Sequence, residues 1–143
     1  GADIPSEFNL DDPSRMIVKI VGEGIEDRFG STLAVLPDIT GDGKPELAVS
    51  AIWASGGQSG NVKGAGKVYL FNSENLFGNA GTNRNASTAE QKFSAAGNGS
   101  EFGTALRAGD GLLFIGAPFS DGRSGQSYIF DARTGGSTQF VLR

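Results

Sequence analysis

Apolar residues come in short bursts along the chain, many of them β-branched or aromatic, and each burst is bounded by Gly, Asn, Asp or Ser. Bursts of this kind predict strands joined by tight turns. Met16-Ile17-Val18-Lys19-Ile20-Val21 opens the series, and Glu46-Leu47-Ala48-Val49-Ser50-Ala51-Ile52-Trp53 reads as a buried strand. Residues 64–71 form a further strand that ends in Tyr69-Leu70-Phe71. Alternation turns Tyr69 to one side and its neighbours to the other, so at least half of Tyr69, Phe71, Tyr128 and Phe130 are expected in the core. Trp53, at the end of a central strand, is expected to pack rather than to face a ligand. Residues 72–88, rich in Asn, Ser, Gly and Ala, predict a long surface excursion anchored by Leu76-Phe77.

The bursts repeat. Phe29-Gly30-Ser31-Thr32-Leu33-Ala34 recurs as Phe102-Gly103-Thr104-Ala105-Leu106-Arg107, 73 residues on. Residues 46–53 recur as 111–118, and 64–71 as 123–130, in the same order. Such self-similarity marks a repeat architecture. Each unit predicts four strands: one after the Phe-Gly, one after an Asp-Gly bend, one ending in Tyr-x-Phe, and an outer one. The outer strands are expected near residues 90–94 and 138–142. Residues 16–21 predict one more outer strand, belonging to a preceding unit or closing the last. The fold class is therefore all-β, two four-stranded antiparallel units plus an extra N-terminal strand. Residues 1–14 are expected to run extended, 15–28 to hold the outer strand and a connection, 29–101 the first unit, and 102–143 the second.

At 143 residues the chain suits one domain or a few small repeats, and is long enough to bury a core. Its 23 glycines fit many tight turns. With 16 acidic against 12 basic residues, a net charge of −4 and no Lys/Arg cluster, no nucleic-acid partner is expected. The absence of both Cys and His removes Ser-His-Asp and Cys-His nucleophiles, an imidazole base and Cys/His zinc sites. Without disulfides, a metal can serve as the staple. Gly1-Ala2-Asp3-Ile4-Pro5 has no basic n-region or apolar run, so no signal peptide is expected in this form of the chain. No stretch approaches the roughly 20 apolar residues of a membrane helix, and no membrane insertion is expected.

The chemistry concentrates in Asp38-Ile39-Thr40-Gly41-Asp42-Gly43-Lys44-Pro45-Glu46. Calcium takes six to eight oxygen ligands at roughly 2.3–2.6 Å, and a compact loop supplies them from alternate positions. Asp38, Thr40 and Asp42 hold the first, third and fifth positions; Lys44 would offer its backbone carbonyl, and Glu46 a closing carboxylate. The twelfth position is Val49, and a strand follows, so this is a strand-loop-strand site and not an EF-hand. The alternative is a polar hairpin whose Asp42-Gly43 supplies the positive φ of a tight turn. The second unit has only Ala108-Gly109-Asp110-Gly111 at this place, which makes the first loop an elaboration of an ordinary turn.

Phe29-Gly30, the acidic loop, Phe102-Gly103, Ile115-Gly116-Ala117-Pro118 and the strands 66–71 and 125–130 together resemble the FG-GAP repeat of integrin alpha-subunit β-propellers and related bacterial proteins. The resemblance covers roughly residues 17–142. It departs at Ser50-Ala51-Ile52, where the family shows Gly-Ala-Pro, and at Thr40 and Glu46, where it more often shows Asp or Asn and Asp. It implies that the two units are propeller-type blades, with Ca2+ held by Asp38, Thr40, Asp42, Lys44 and Glu46. Propellers have about four to eight blades. Two blades therefore point to a longer parent chain, to assembly of copies, or to two sheets packed as a sandwich, the first two being preferred.

The expected function is a non-catalytic, extracellular or cell-surface (or periplasmic) calcium-binding module for adhesion or assembly, with a protein partner or self-association and a glycan as a further candidate. A filament or sheath subunit pairing through exposed edges is one alternative. An accessory fragment of a secreted hydrolase or lyase is another, with Glu23 and Glu26 or Asp27, or Asp110 and Asp121, as carboxylate pairs. Asn85-Ala86-Ser87 and Asn98-Gly99-Ser100 are N-glycosylation sequons. Gly64-Ala65-Gly66-Lys67 lacks Walker spacing and reads as a turn entering a strand.

Overall fold

The structure is a computed structural model and describes residues 17–55, 64–78, 83–95, 99–133 and 140–142. It is all-β, as the alternating bursts predict. Strands β2 (Phe29–Leu36), β3 (Glu46–Ala51), β4 (Lys67–Phe71) and β6 (Gln91–Ser94) form one antiparallel sheet in the order β2-β3-β4-β6. Strands β7 (Ala105–Gly109), β8 (Leu112–Ala117), β9 (Gln126–Asp131) and β10 (Phe140–Leu142) form a second, in the order β10-β9-β8-β7. Each is a meander of neighbouring strands, and both outer strands lie where the sequence places them. The extended segment expected at 1–14 and the sequon at Asn98 lie outside the described residues.

Register refines the repeat. Val49 pairs with Tyr69 and Ile115 with Tyr128, so Ser50-Ala51-Ile52 is equivalent to Gly116-Ala117-Pro118. The match of 46–53 to 111–118 is thus one residue out, because the short second turn consumes less chain than the nine-residue loop.

The sheets pack face to face. Leu36, Ala48, Val68 and Leu70 of the first meet Leu106, Leu113, Ile115 and Ala117 of the second, with Phe102, Tyr128 and Phe130 completing a buried cluster. The Phe102 ring meets those of Tyr128 and Phe130 edge to face at 5.3 and 6.2 Å. Phe29 does the same to Tyr69 and Phe71 at 5.5 and 6.4 Å, so the Phe of each Phe-Gly seats on the aromatic strand of its own sheet.

Residues 16–21 depart from expectation. Strand β1 (Lys19–Val21) is an outer strand of neither sheet; it pairs in parallel with β5 (Asn83–Asn85). This ribbon and the short helix α1 (Ser73–Phe77) accompany a second cluster on the far face of the first sheet, where Val49, Tyr69 and Phe71 pack with Leu76 and Ala86 and with Ile20 at the margin. The described parts of the excursion, 72–78 and 83–88, therefore cap a sheet. Leu76 anchors the cap and Phe77 does not, being 2% and 42% exposed. Because β4 is covered on both faces, all of Val68, Tyr69, Leu70 and Phe71 are buried, where alternation alone would bury half; β2, at the edge of the same sheet, leaves Leu33 and Val35 exposed. Trp53 is half-buried beneath the Arg28 guanidinium, 3.4 Å from the ring centroid.

The buried Tyr69 hydroxyl donates to Glu23 Oε2 at 3.1 Å, Lys92 donates to Glu23 Oε1, and Lys67 Nζ lies 3.7 Å from Oε2. Burial pushes the Tyr69 phenol above its usual range, and the Glu23 charge adds to this. Burial alone would raise the Glu23 carboxyl; hydrogen bonds from Lys92 and Tyr69, with the charges of Lys92 and Lys67, overcome it and hold the group below its ordinary value. Removing one such hydrogen bond costs about 1 kcal/mol. Tyr69→Phe is accordingly expected to lower the unfolding midpoint by about 3–5 °C, and an unchanged thermal melt would show that Glu23 does not tie down the turn after β1.

Candidate metal centre

The loop between β2 and β3 draws the predicted residues together. Oxygens of Asp38, Asp42 and Glu46 lie within 4.8 Å of one another, and this is the one such acidic group among the described residues. Glu46 opens β3 and is 1% exposed, whereas Asp38, Thr40, Asp42 and Lys44 face solvent. The loop therefore grips from a buried floor to an open rim.

Each carboxylate is oriented by neutral donors. Asp38 Oδ1 accepts from the Gly41 N–H at 2.6 Å and the Asp42 N–H at 3.2 Å, and Oδ2 from the Gly43 N–H at 2.7 Å. These bonds, led by that from Gly43, hold the Asp38 carboxyl below the usual aspartate range. Asp42 Oδ1 accepts from the Lys44 N–H at 2.9 Å, which closes the turn at the position whose carbonyl is the expected ligand. Glu46 accepts from the Ile39 N–H and from Thr40 Oγ1, each at 2.9 Å. Thr40 spends its proton on Glu46, which leaves its oxygen lone pairs for a cation.

The donor set fits a hard divalent cation. It offers three carboxylates and a hydroxyl with no nitrogen or sulfur, the ligand chemistry of calcium rather than zinc. Burying a carboxylate among neutral donors alone is costly, and a cation beside it would offset that cost.

Ser73 is the residue that local sequence does not reveal. Its fully buried hydroxyl donates to Asp42 Oδ2 at 2.6 Å from the start of α1, 31 residues away. The pairing of Leu47 with Phe71 carries the end of β4 back to the loop and delivers Ser73 there.

Of the carboxylates of the hydrolase alternative, Glu23 and Asp27 both act on the Tyr69 hydroxyl, the first through a hydrogen bond and the second through its charge. Glu23 is engaged by Lys67, Lys92 and Tyr69. Asp110 precedes β8 and Asp121 follows it, so the six-residue strand separates them by about 20 Å. Exposed Asn85 caps the single 3-10 turn Ala86–Thr88, its side chain accepting from the Ser87 N–H at 2.8 Å.

No curated protein matches the chain. The sequence model of the FG-GAP repeat family matches residues 29–71, which run from the Phe-Gly at the start of β2 through the acidic loop and β3 to the end of β4. The chain therefore carries an FG-GAP repeat, and its acidic loop lies inside it.

Proposed function

We propose that residues 38–46 bind Ca2+ and that the ion is structural, in a non-catalytic extracellular module that works by protein–protein contact in adhesion or assembly. An FG-GAP repeat suggests a β-propeller-type protein-interaction module. The observation that carries the calcium reading is the convergence of Asp38, Asp42 and Glu46 within 4.8 Å, one of them on a buried floor. When bound, the ion supplies two positive charges to these oxygens and cross-links the ends of β2 and β3. Asp38, Thr40 and Asp42 hold the rim and Glu46 the floor, and Ser73 ties the rim to α1, so loop, sheet and cap would be fastened at one point.

Thermal unfolding with calcium and with chelator tests this. A ligand at about 100 times its Kd stabilises the folded state by about 2.7 kcal/mol, so calcium is expected to raise the midpoint by about 10 °C. Identical midpoints reject the site. The carboxylates must be ionised to bind, and Asp38 is held below the ordinary aspartate value. Its contribution is then fully present above about pH 4 and lost as pH falls through its lower folded value. The calcium-dependent shift is expected to survive at pH 5.

A further inference from the structure

The helix α1 has five residues, far fewer than the roughly 12–15 that an isolated helix needs to hold itself together. It stays helical only while its side chains are held on the first sheet. Among its described side chains two are buried, Leu76 and Ser73. Leu76 enters the apolar cluster with Val49, Tyr69 and Phe71. Ser73 is held elsewhere: its hydroxyl donates at 2.6 Å to Asp42 Oδ2, on the exposed rim of the acidic loop.

The chain holds the two rim aspartates differently. Asp38 accepts from three backbone N–H groups, of Gly41, Asp42 and Gly43, all within its own loop. Asp42 accepts one, from Lys44 on Oδ1, and on Oδ2 the donor is Ser73. The orientation of Asp42 thus depends on a residue 31 positions away. The dependence runs both ways, because a hydroxyl with 0% exposure that loses its acceptor is left buried and unsatisfied.

We infer that Ser73 couples calcium at residues 38–46 to the docking of α1, so that calcium closes α1 over Val49, Tyr69 and Phe71 and its withdrawal loosens α1 before the sheet unfolds. The inference rests on the calcium reading of the loop proposed above. A docked α1 keeps an Asp42 oxygen within 4.8 Å of those of Asp38 and Glu46. Once α1 lifts, the Lys44 N–H alone restrains the Asp42 carboxylate, and it can turn to water. Partners that orient a metal ligand from behind change affinity by about 10–100-fold. Coupling between two sites is reciprocal, so a gain of about tenfold in calcium affinity on docking is also a gain of about tenfold in docking when calcium saturates. Ser73 is in this sense a positioning residue for the metal centre, and the acidic loop a calcium-dependent latch for the cap.

Hydrogen exchange of the whole chain, read by NMR with calcium and with chelator, tests this together with a calcium titration. The Leu76 and Gly78 N–H groups, which donate to Asn72 O at 3.1 Å and Glu74 O at 2.8 Å, report on α1. Those of Gly41 and Gly43, which donate to Asp38, report on the loop. In the wild type calcium is expected to slow both sets, Leu76 and Gly78 by about tenfold. In Ser73→Ala the loop amides are expected still to respond, those of α1 to lose their response, and the Kd for calcium to rise about tenfold. Ser73→Cys fills the same space with a weak donor and is expected to follow Ser73→Ala, which separates the hydrogen bond from packing. A Ser73 that only stabilised the fold would lower the midpoint in chelator and leave the Kd unchanged. The coupling is overturned if the wild-type loop amides respond to calcium while Leu76 and Gly78 do not, if Ser73→Ala binds calcium within about twofold of the wild type, or if Ser73→Cys behaves as the wild type. If no amide responds, those of the loop included, the calcium site itself is rejected and the coupling falls with it.

Discussion

Replacing Glu46 by Gln is expected to make the protein more stable than the wild type in chelator and less stable in calcium. Gln keeps the length of the side chain, and its amide can accept from the Ile39 N–H while its NH2 donates to Thr40 Oγ1, so the contacts at 2.9 Å are reproduced without a charge. At 1% exposure the wild-type carboxylate has surrendered its hydration to neutral donors, and without a cation beside it the neutral isostere is the cheaper group to bury. In calcium the order reverses, because a metal ligand is gone and the binding term of about 2.7 kcal/mol at 100 times Kd is lost. The calcium-dependent rise of about 10 °C should shrink to about 2 °C or less. Paired thermal melts of the two proteins, with calcium and with chelator, give all four midpoints. A wild-type calcium response in Glu46→Gln would show that Glu46 is no ligand, whatever the other oxygens do. A loss of stability in chelator would show that its charge is already satisfied within the chain.

The loop is legible in sequence because its oxygens fall at alternate positions within nine residues, so local geometry alone brings them near one another. Ser73 is not, since its place beside Asp42 depends on the register of β4 on β3. The meanders are legible because each strand pairs with a neighbour in sequence and each turn carries Gly, Asn or Asp. The cap is hidden for the opposite reason: Asn83, Arg84 and Asn85 have no apolar alternation, and their pairing with β1 rests on backbone groups 64 residues apart that any side chains could accompany. Strand periodicity assumes one wet face, so it also understates the burial of Val68 to Phe71, whose strand has none. The repeat spacing is read correctly at the Phe-Gly and slips by one at β3, where two turns of different length meet the same strand pattern.

Gly66→Ala is expected to cost roughly 3–5 kcal/mol, the range of a severe core lesion although it adds a single methyl. Gly66 has φ of +87°, and a Cβ there would overlap the carbonyl oxygen of Phe102 and lie 2.5 Å from its nitrogen. Those atoms belong to backbone that is itself fixed: the Phe102 N–H donates to Ala65 O at 3.0 Å, the Gly66 N–H to Ala54 O at 2.9 Å, and the Phe102 ring is fully buried between the sheets. Neither partner can yield without parting the second Phe-Gly from the first sheet, a joint that Thr32 Oγ1 also holds by donating to Gly103 O at 2.7 Å. Gly30→Ala supplies the control. Gly30 has nearly the same φ, +90°, but nothing among the described residues lies within 4 Å of its absent Cβ. That substitution should cost only the backbone strain of about 1–2 kcal/mol. Urea unfolding of the two variants separates strain from packing, and the excess loss at Gly66 measures how tightly the second Phe-Gly is clamped to the first sheet. Equal losses at the two glycines would mean that the approach of Gly66 to Phe102 relaxes freely, and that the Phe-Gly pair acts as a turn within its own sheet instead of as the joint between sheets.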